Sequence, residues 1–165
     1  MVFWLPFYMA VTYSGVDMGL MAFNHANLER ALDEVIRDVR LNNIDKYDTS
    51  PGATWEHDML KDIICDKARY IKNCETNLKL EMRSIDPFVG QNLDPTPFCV
   101  NTAEDIRKPE DQVFVPGASN ELMIIRACVE ANPVWLNSML GQLTATRASG
   151  TYELHATTVF VHEPA

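Results

Sequence analysis

At 165 residues, with 14 Lys and Arg against 23 Asp and Glu and a net charge of −9, the chain is too acidic to follow a phosphate backbone, which argues against a nucleic-acid partner. The length allows one domain beside an anchor, and a mean hydropathy of −0.14 leaves room for a single membranous segment. The four cysteines form no C-x-x-C pair and no Cys/His cluster has zinc spacing, so no metal, cofactor or small-molecule substrate is expected.

Residues 1–28 carry one formal charge, Asp17. A hydrocarbon core of ~30 Å takes about 20 apolar helical residues, so this run reads as spanning a membrane or nearly so. It passes without a break into the amphipathic ERALDEVIRDVRL, which predicts one helix to about residue 41, roughly 60 Å long. Residues 1–24 are then a transmembrane anchor touching lipid, and residues 25–165 an aqueous domain. A cleaved signal peptide would want a basic start and a small-residue cleavage site, and none is clear. A buried core helix would need more chain to wrap it. An interfacial helix would show a strongly charged face, which residues 1–28 lack. Pro6 fits in a first helical turn. No Lys or Arg precedes Arg30, so the charge rule for orientation has nothing to act on, and the apolar opening reads as a shortened N-terminus.

Leu28, Leu32, Val35, Ile36 and Val39 fall at helical spacing and need a partner from the downstream domain. Asp33 and Arg37 are spaced for a helical ion pair. Residues 42–52 read as a loop, Thr54 as an N-cap, and residues 55–71 as a second helix with Trp55, Met59, Ile63 and Tyr70 near its buried face and His57 solvated. NLKLEMRSI alternates as a half-buried antiparallel strand. Residues 86–110 are irregular, with Pro87, Pro95, Pro97 and Pro109, and Val115 to Ala118 signal a turn. Residues 121–131 predict a central strand bearing Cys128. The apolar residues 133–143 predict a helical turn or a loop against a membrane surface. Residues 151–161 predict a last strand, with His155 on its outer face.

Outside the cytoplasm the cysteines would form disulfides; inside it they would be buried thiols. Of the three possible connectivities, a turn after the second helix favours Cys65–Cys74, and the long loop's need for a tether favours Cys99–Cys128. The fold class expected is α+β, with a long transmembrane and amphipathic N-terminal helix packed on a small antiparallel sheet beside a second helix.

Five marks in this order resemble the TadE/TadG-like proteins of the tight-adherence (Tad) pilus system. The apolar helix carries Gly15-Val16-Asp17-Met18-Gly19 and runs on to Ala31, Arg37 and Arg40. A helix with Cys65 is followed by Cys74 and the strand from Leu78 to Met82. Phe114-Val115-Pro116-Gly117 precedes a strand containing Arg126. The apolar stretch from Pro133 to Leu140 follows. The chain closes on Val159-Phe160-Val161-His162-Glu163-Pro164, similar to the family's Val-Phe-Arg-Asn-Glu-Pro, from which His162 and Ala165 depart. No prepilin-peptidase signature precedes the apolar run.

The resemblance implies a pilin-like, non-catalytic, single-span protein of the bacterial inner membrane with its C-terminal domain in the periplasm. Its partners would be lipid and other pilus assembly proteins or pilin subunits, and its role pilus assembly for secretion and adhesion. Gly15 and Gly19 make a small-x-x-x-small face for helix approach, and Asp17, projecting elsewhere, is an ionisable candidate at the same level. Two alternatives stand beside it. One is a tethered extracytoplasmic enzyme using Cys99 or Cys128 with His57 or His155, although the chain has no recognised catalytic motif. The other is an unrelated structural ectodomain.

Overall fold

The computed structural model describes residues 4–86, 88, 99, 114, 115, 117, 118, 120–134, 150–161 and 163. Its first element, α1, runs unbroken over Trp4–Arg40. At about 1.5 Å per residue it is roughly 55 Å long. Asn42, with φ 49°, ends it in the left-handed conformation that asparagine tolerates. The Asn42 and Asn43 amides there bond back to the Val39 and Asp38 carbonyls. A 3-10 turn, Ile44–Lys46, then leads to α2, His57–Lys67, and the short α3, Cys74–Asn77.

Three antiparallel strands follow: β1 Leu78–Ser84, β2 Leu122–Ala131 and β3 Tyr152–Val161, with β2 in the centre. Register sets Leu80 opposite Ala127 and Ala127 opposite Ala156. Because strand side chains alternate, this puts Leu78, Leu80, Met82, Ile125, Val129, Leu154 and Phe160 on one face. All are buried in a core shared with Leu28, Leu32, Val35, Leu60 and Ile64. The C-terminal half of α1 lies on this face, mainly over β3 and beside α2. Leu28, Leu32 and Val35 are at most 1% exposed. Burial of this kind contributes ~1.5–3 kcal/mol per side chain.

Several details differ from the sequence reading. α2 begins at His57 after Glu56, with no side-chain cap, so Thr54 does not cap it. Its buried line runs through Leu60, Ile64 and Cys65, whereas Met59 and Ile63 are only partly buried and Tyr70 is exposed. The line is turned by about one residue, with Leu60 rather than Met59 packed into the core. Glu34 and Asp38, rather than Asp33, carry ion pairs from α1, to Lys67 and Lys46. Both expected disulfides are formed: Cys65–Cys74 with Cα atoms 5.6 Å apart and Cys99–Cys128 with Cα atoms 5.2 Å apart.

The transmembrane character expected of residues 1–24 is not supported: among the described residues no helix is long and apolar enough to cross a membrane. Tyr8, Thr12, Tyr13, Ser14 and Asp17 dilute the apolar run below what a span requires. α1 is continuous through residues 24 and 25, as the expected single helix to about residue 41 requires. Residues 135–143 and most of 86–110, read as a membrane-facing stretch and an irregular loop, lie outside the described residues, as do Pro116, His162, Pro164 and Ala165.

Candidate functional site

The two halves of α1 present opposite chemistry to the domain. Residues 14, 17, 21, 24, 28, 31 and 35, spaced alternately three and four apart, form one seam along the helix. In the lower half the seam is apolar and buried: Leu28, Ala31 and Val35. In the upper half it turns mostly polar, although Met21 still packs against the core. Ser14 and Asp17 are buried, and the Val134 amide donates to the Asp17 carboxylate at 3.2 Å. Asn24 donates to the Tyr152 hydroxyl at 3.4 Å.

Most of the remaining upper half is apolar and faces outward, interrupted by Tyr8, Thr12 and Tyr13. Trp4 is 75% exposed, Phe7 62%, Val11 55%, Val16 48% and Met18 59%. The helix is thus inside-out above Asn24, with its polar line toward protein and its apolar surface toward whatever surrounds it. Exposed apolar area of this extent marks an interaction surface.

Gly15 and Gly19 lie on that open surface, where a Cβ added at either would meet nothing within 4 Å. Asp17 projects away from them, as its position between them dictates, and turns toward the domain. The glycine face is free for close approach by another helix. An open hollow of about 260 Å³ lies beside the junction, between Leu20, Phe23 and Asn24 of α1, Tyr70, and Pro133.

Polar contacts at the lower end of α1 hold the helix at a set angle. Asp38 accepts from Lys46 at 2.8 Å and from Tyr47 at 2.6 Å. Partial burial pushes the Asp38 carboxyl up, but these two bonds outweigh it and leave its pKa below the ordinary value. The Lys46 ammonium is held above its ordinary value, chiefly by the same bond to Asp38. Arg40 reaches the Glu163 carboxylate at 2.7 Å, and the Glu163 amide bonds the Arg40 carbonyl at 3.2 Å, so the end of the chain closes on the foot of α1.

The outer sheet face carries the rest of the chemistry. Arg126 donates through Nε and Nη2 to one oxygen of Glu81 at 3.0 and 2.5 Å, and Arg83 reaches the other oxygen at 2.7 Å. Further along β2, Glu130 is 1% exposed and accepts from the Thr151 hydroxyl. Beside them the Cys99–Cys128 bond is buried, and His155 sets its Nδ1 3.7 Å from the Cys99 sulfur. Of the histidines considered for an enzymatic pair, His155 therefore meets the cysteines. His57 instead bonds Asp58 at 2.9 Å and packs edge-on against Phe114, so it is not solvated. With both sulfurs in a disulfide and no free cysteine in the chain, no thiolate is available as a nucleophile.

Sequence reasoning missed one feature. The inversion of α1 was hidden because Ser14, Asp17 and Asn24 are too few to stand out in an apolar run, although their spacing continues the lower seam. The sequence reading did weigh Cys99 or Cys128 with His57 or His155; strand register, which sets Cys128 opposite His155, decides between the two histidines. Comparison with protein-family models, with curated proteins and with solved structures finds no match.

Proposed function

We propose that this chain is a non-catalytic, pilin-like assembly component of a Tad-type pilus system, held at a bacterial inner membrane with its α+β domain on the periplasmic side. The observation that carries the reading is the inside-out upper half of α1. A helix whose polar line is used up by its own domain, and whose other sides are largely apolar, favours surroundings that cover those sides. Lipid covers them in the resting protein. The proposal needs the half-helix to sit in lipid, not to cross it.

Two further observations support the reading. Both disulfides suit an oxidising compartment. The unobstructed Gly15/Gly19 face offers a seam on which lipid contacts can be exchanged for those of a neighbouring helix as subunits assemble. The resemblance to the TadE/TadG-like proteins, resting on the five sequence marks, adds the pilus context.

The experiment is a pair of replacements in the native host, Gly15→Leu with Gly19→Leu, scored for surface pili and adhesion. The reading predicts a protein present at normal level with its domain folded, and pili lost. Normal pili and adhesion in that variant contradict it.

A further inference from the structure

Where the projecting half of α1 meets the domain, the hollow of about 260 Å³ is lined by Leu20, Phe23 and Asn24 of α1, by Tyr70 and Lys72 of the turn after α2, and by Asn132 beyond β2. Phe23 and Tyr70 meet edge to face with centroids 5.1 Å apart, and both are exposed. Exposed aromatic rings, tyrosine above all, gather where lipid meets water. Asn24 and Asn132 add amides that can both donate and accept. Lys72 supplies the charge. Lys46 and Lys67 are each paired with a carboxylate, whereas Lys72, which is exposed, has no ion-pair partner among the described residues. No acidic residue lines the hollow, and Asp17 turns into the domain to take the Val134 amide. The hollow thus offers one cation and neutral hydrogen-bonding groups, with nothing to hold a second cation.

Above the hollow, Leu20, Val16 and Met9 continue the line of Phe23 along one face of α1, and all three are exposed. From Leu20 to Met9 the line rises about 16 Å. One leaflet of a ~30 Å hydrocarbon core is about 15 Å deep. We infer, on the reading that lipid covers the upper half of α1, that this hollow binds one anionic phospholipid whose phosphodiester carries an uncharged, hydroxyl-bearing headgroup. The phosphate pairs with the Lys72 ammonium, the headgroup hydroxyls bond the Asn24 and Asn132 amides, and an acyl chain follows Leu20, Val16 and Met9 into the leaflet. A zwitterionic headgroup brings its own cation, for which the lining has no carboxylate. The chain as a whole, at −9, is repelled by an anionic surface, so a preference for anionic lipid has to come from a local site of this kind. A lipid held there sets the depth of the half-helix, with the aromatic pair at headgroup level.

The test uses the full oxidised chain in nanodiscs of phosphatidylglycerol and phosphatidylcholine in equal amounts, with the lipid that stays on the chain identified by native mass spectrometry. Phosphatidylglycerol should be retained at least ~5-fold in preference to phosphatidylcholine, the scale set by one lysine at an anionic lipid surface. Lys72→Gln, at an exposed site, should abolish the preference and leave the fold intact. Lys72→Arg should keep it, and so should Lys61→Gln, which removes a cation that does not line the hollow. Glycerol phosphate, the same headgroup without acyl chains, should not displace the lipid. Equal retention of the two lipids, or a preference that survives Lys72→Gln, overturns the inference and leaves the lipid-covered half-helix standing. Displacement by glycerol phosphate overturns it in favour of a soluble phosphate ester. A chain that enters the discs not at all overturns the lipid-covered reading, and this inference with it.

Discussion

A methyl group on Gly117 would lie 2.4 Å from the sulfur of Met123, a side chain that is itself fully buried. Gly117→Ala should therefore cost ~1–3 kcal/mol through overpacking. Urea unfolding of the oxidised protein checks this, and an unchanged midpoint would show that Met123 has room to shift. Asp38 makes a second single-residue case. Its carboxyl pKa is lowered in the fold by the bonds from Lys46 and Tyr47. The stability it contributes is present above the unfolded value, near pH 4, and is lost as pH falls through the folded one. Asp38→Asn should cost about 1 kcal/mol at neutral pH. The gap between variant and parent should close as thermal melts are carried to progressively more acid buffers, and a gap independent of pH would show that the ionised form is not what matters.

At the scale of the element, α1 joins two different problems. Its lower half is stabilised by packing, so Leu32→Ala, a fully enclosed site against the sheet, should lose ~2–5 kcal/mol in denaturant unfolding. Its upper half adds little to that core, since most of its side chains are exposed. The same helix explains how far sequence could be read. The stripe of Leu28, Leu32, Val35, Ile36 and Val39 was legible because apolar spacing and burial coincide there. The strand NLKLEMRSI was legible for the same reason, with Leu78, Leu80 and Met82 alternating into the core. Above Asn24 the periodic signal belongs to polar residues, and an apolar background conceals it. α2 was misplaced by a fraction of a turn because Leu60 and Met59 are equally apolar, and only packing decides between them. Asp17 was read as an ionisable group at lipid depth; its bond from Val134 makes it a contact between helix and domain.

For the whole molecule, the two disulfides, the antiparallel sheet with its central β2 and the clamp of Glu163 on Arg40 make one body from which half a helix projects with its apolar side out. Reducing both disulfides should loosen the domain, at ~2–4 kcal/mol for each bond. The pairing was legible because one short turn and one long loop each have a single convenient partner. The covered outer face of β2 was not, because the Arg126–Glu81 pair and the Cys99 tether bring together residues far apart in the chain. The account rests most heavily on lipid covering the upper half of α1. The direct measurement is photo-crosslinking in intact cells with a benzophenone residue placed at Val16, and at exposed Asp33 in the lower half as the control. The account predicts lipid adducts from Val16 and none from Asp33. Equal absence of lipid adducts at both positions, with the protein present and folded, would contradict it.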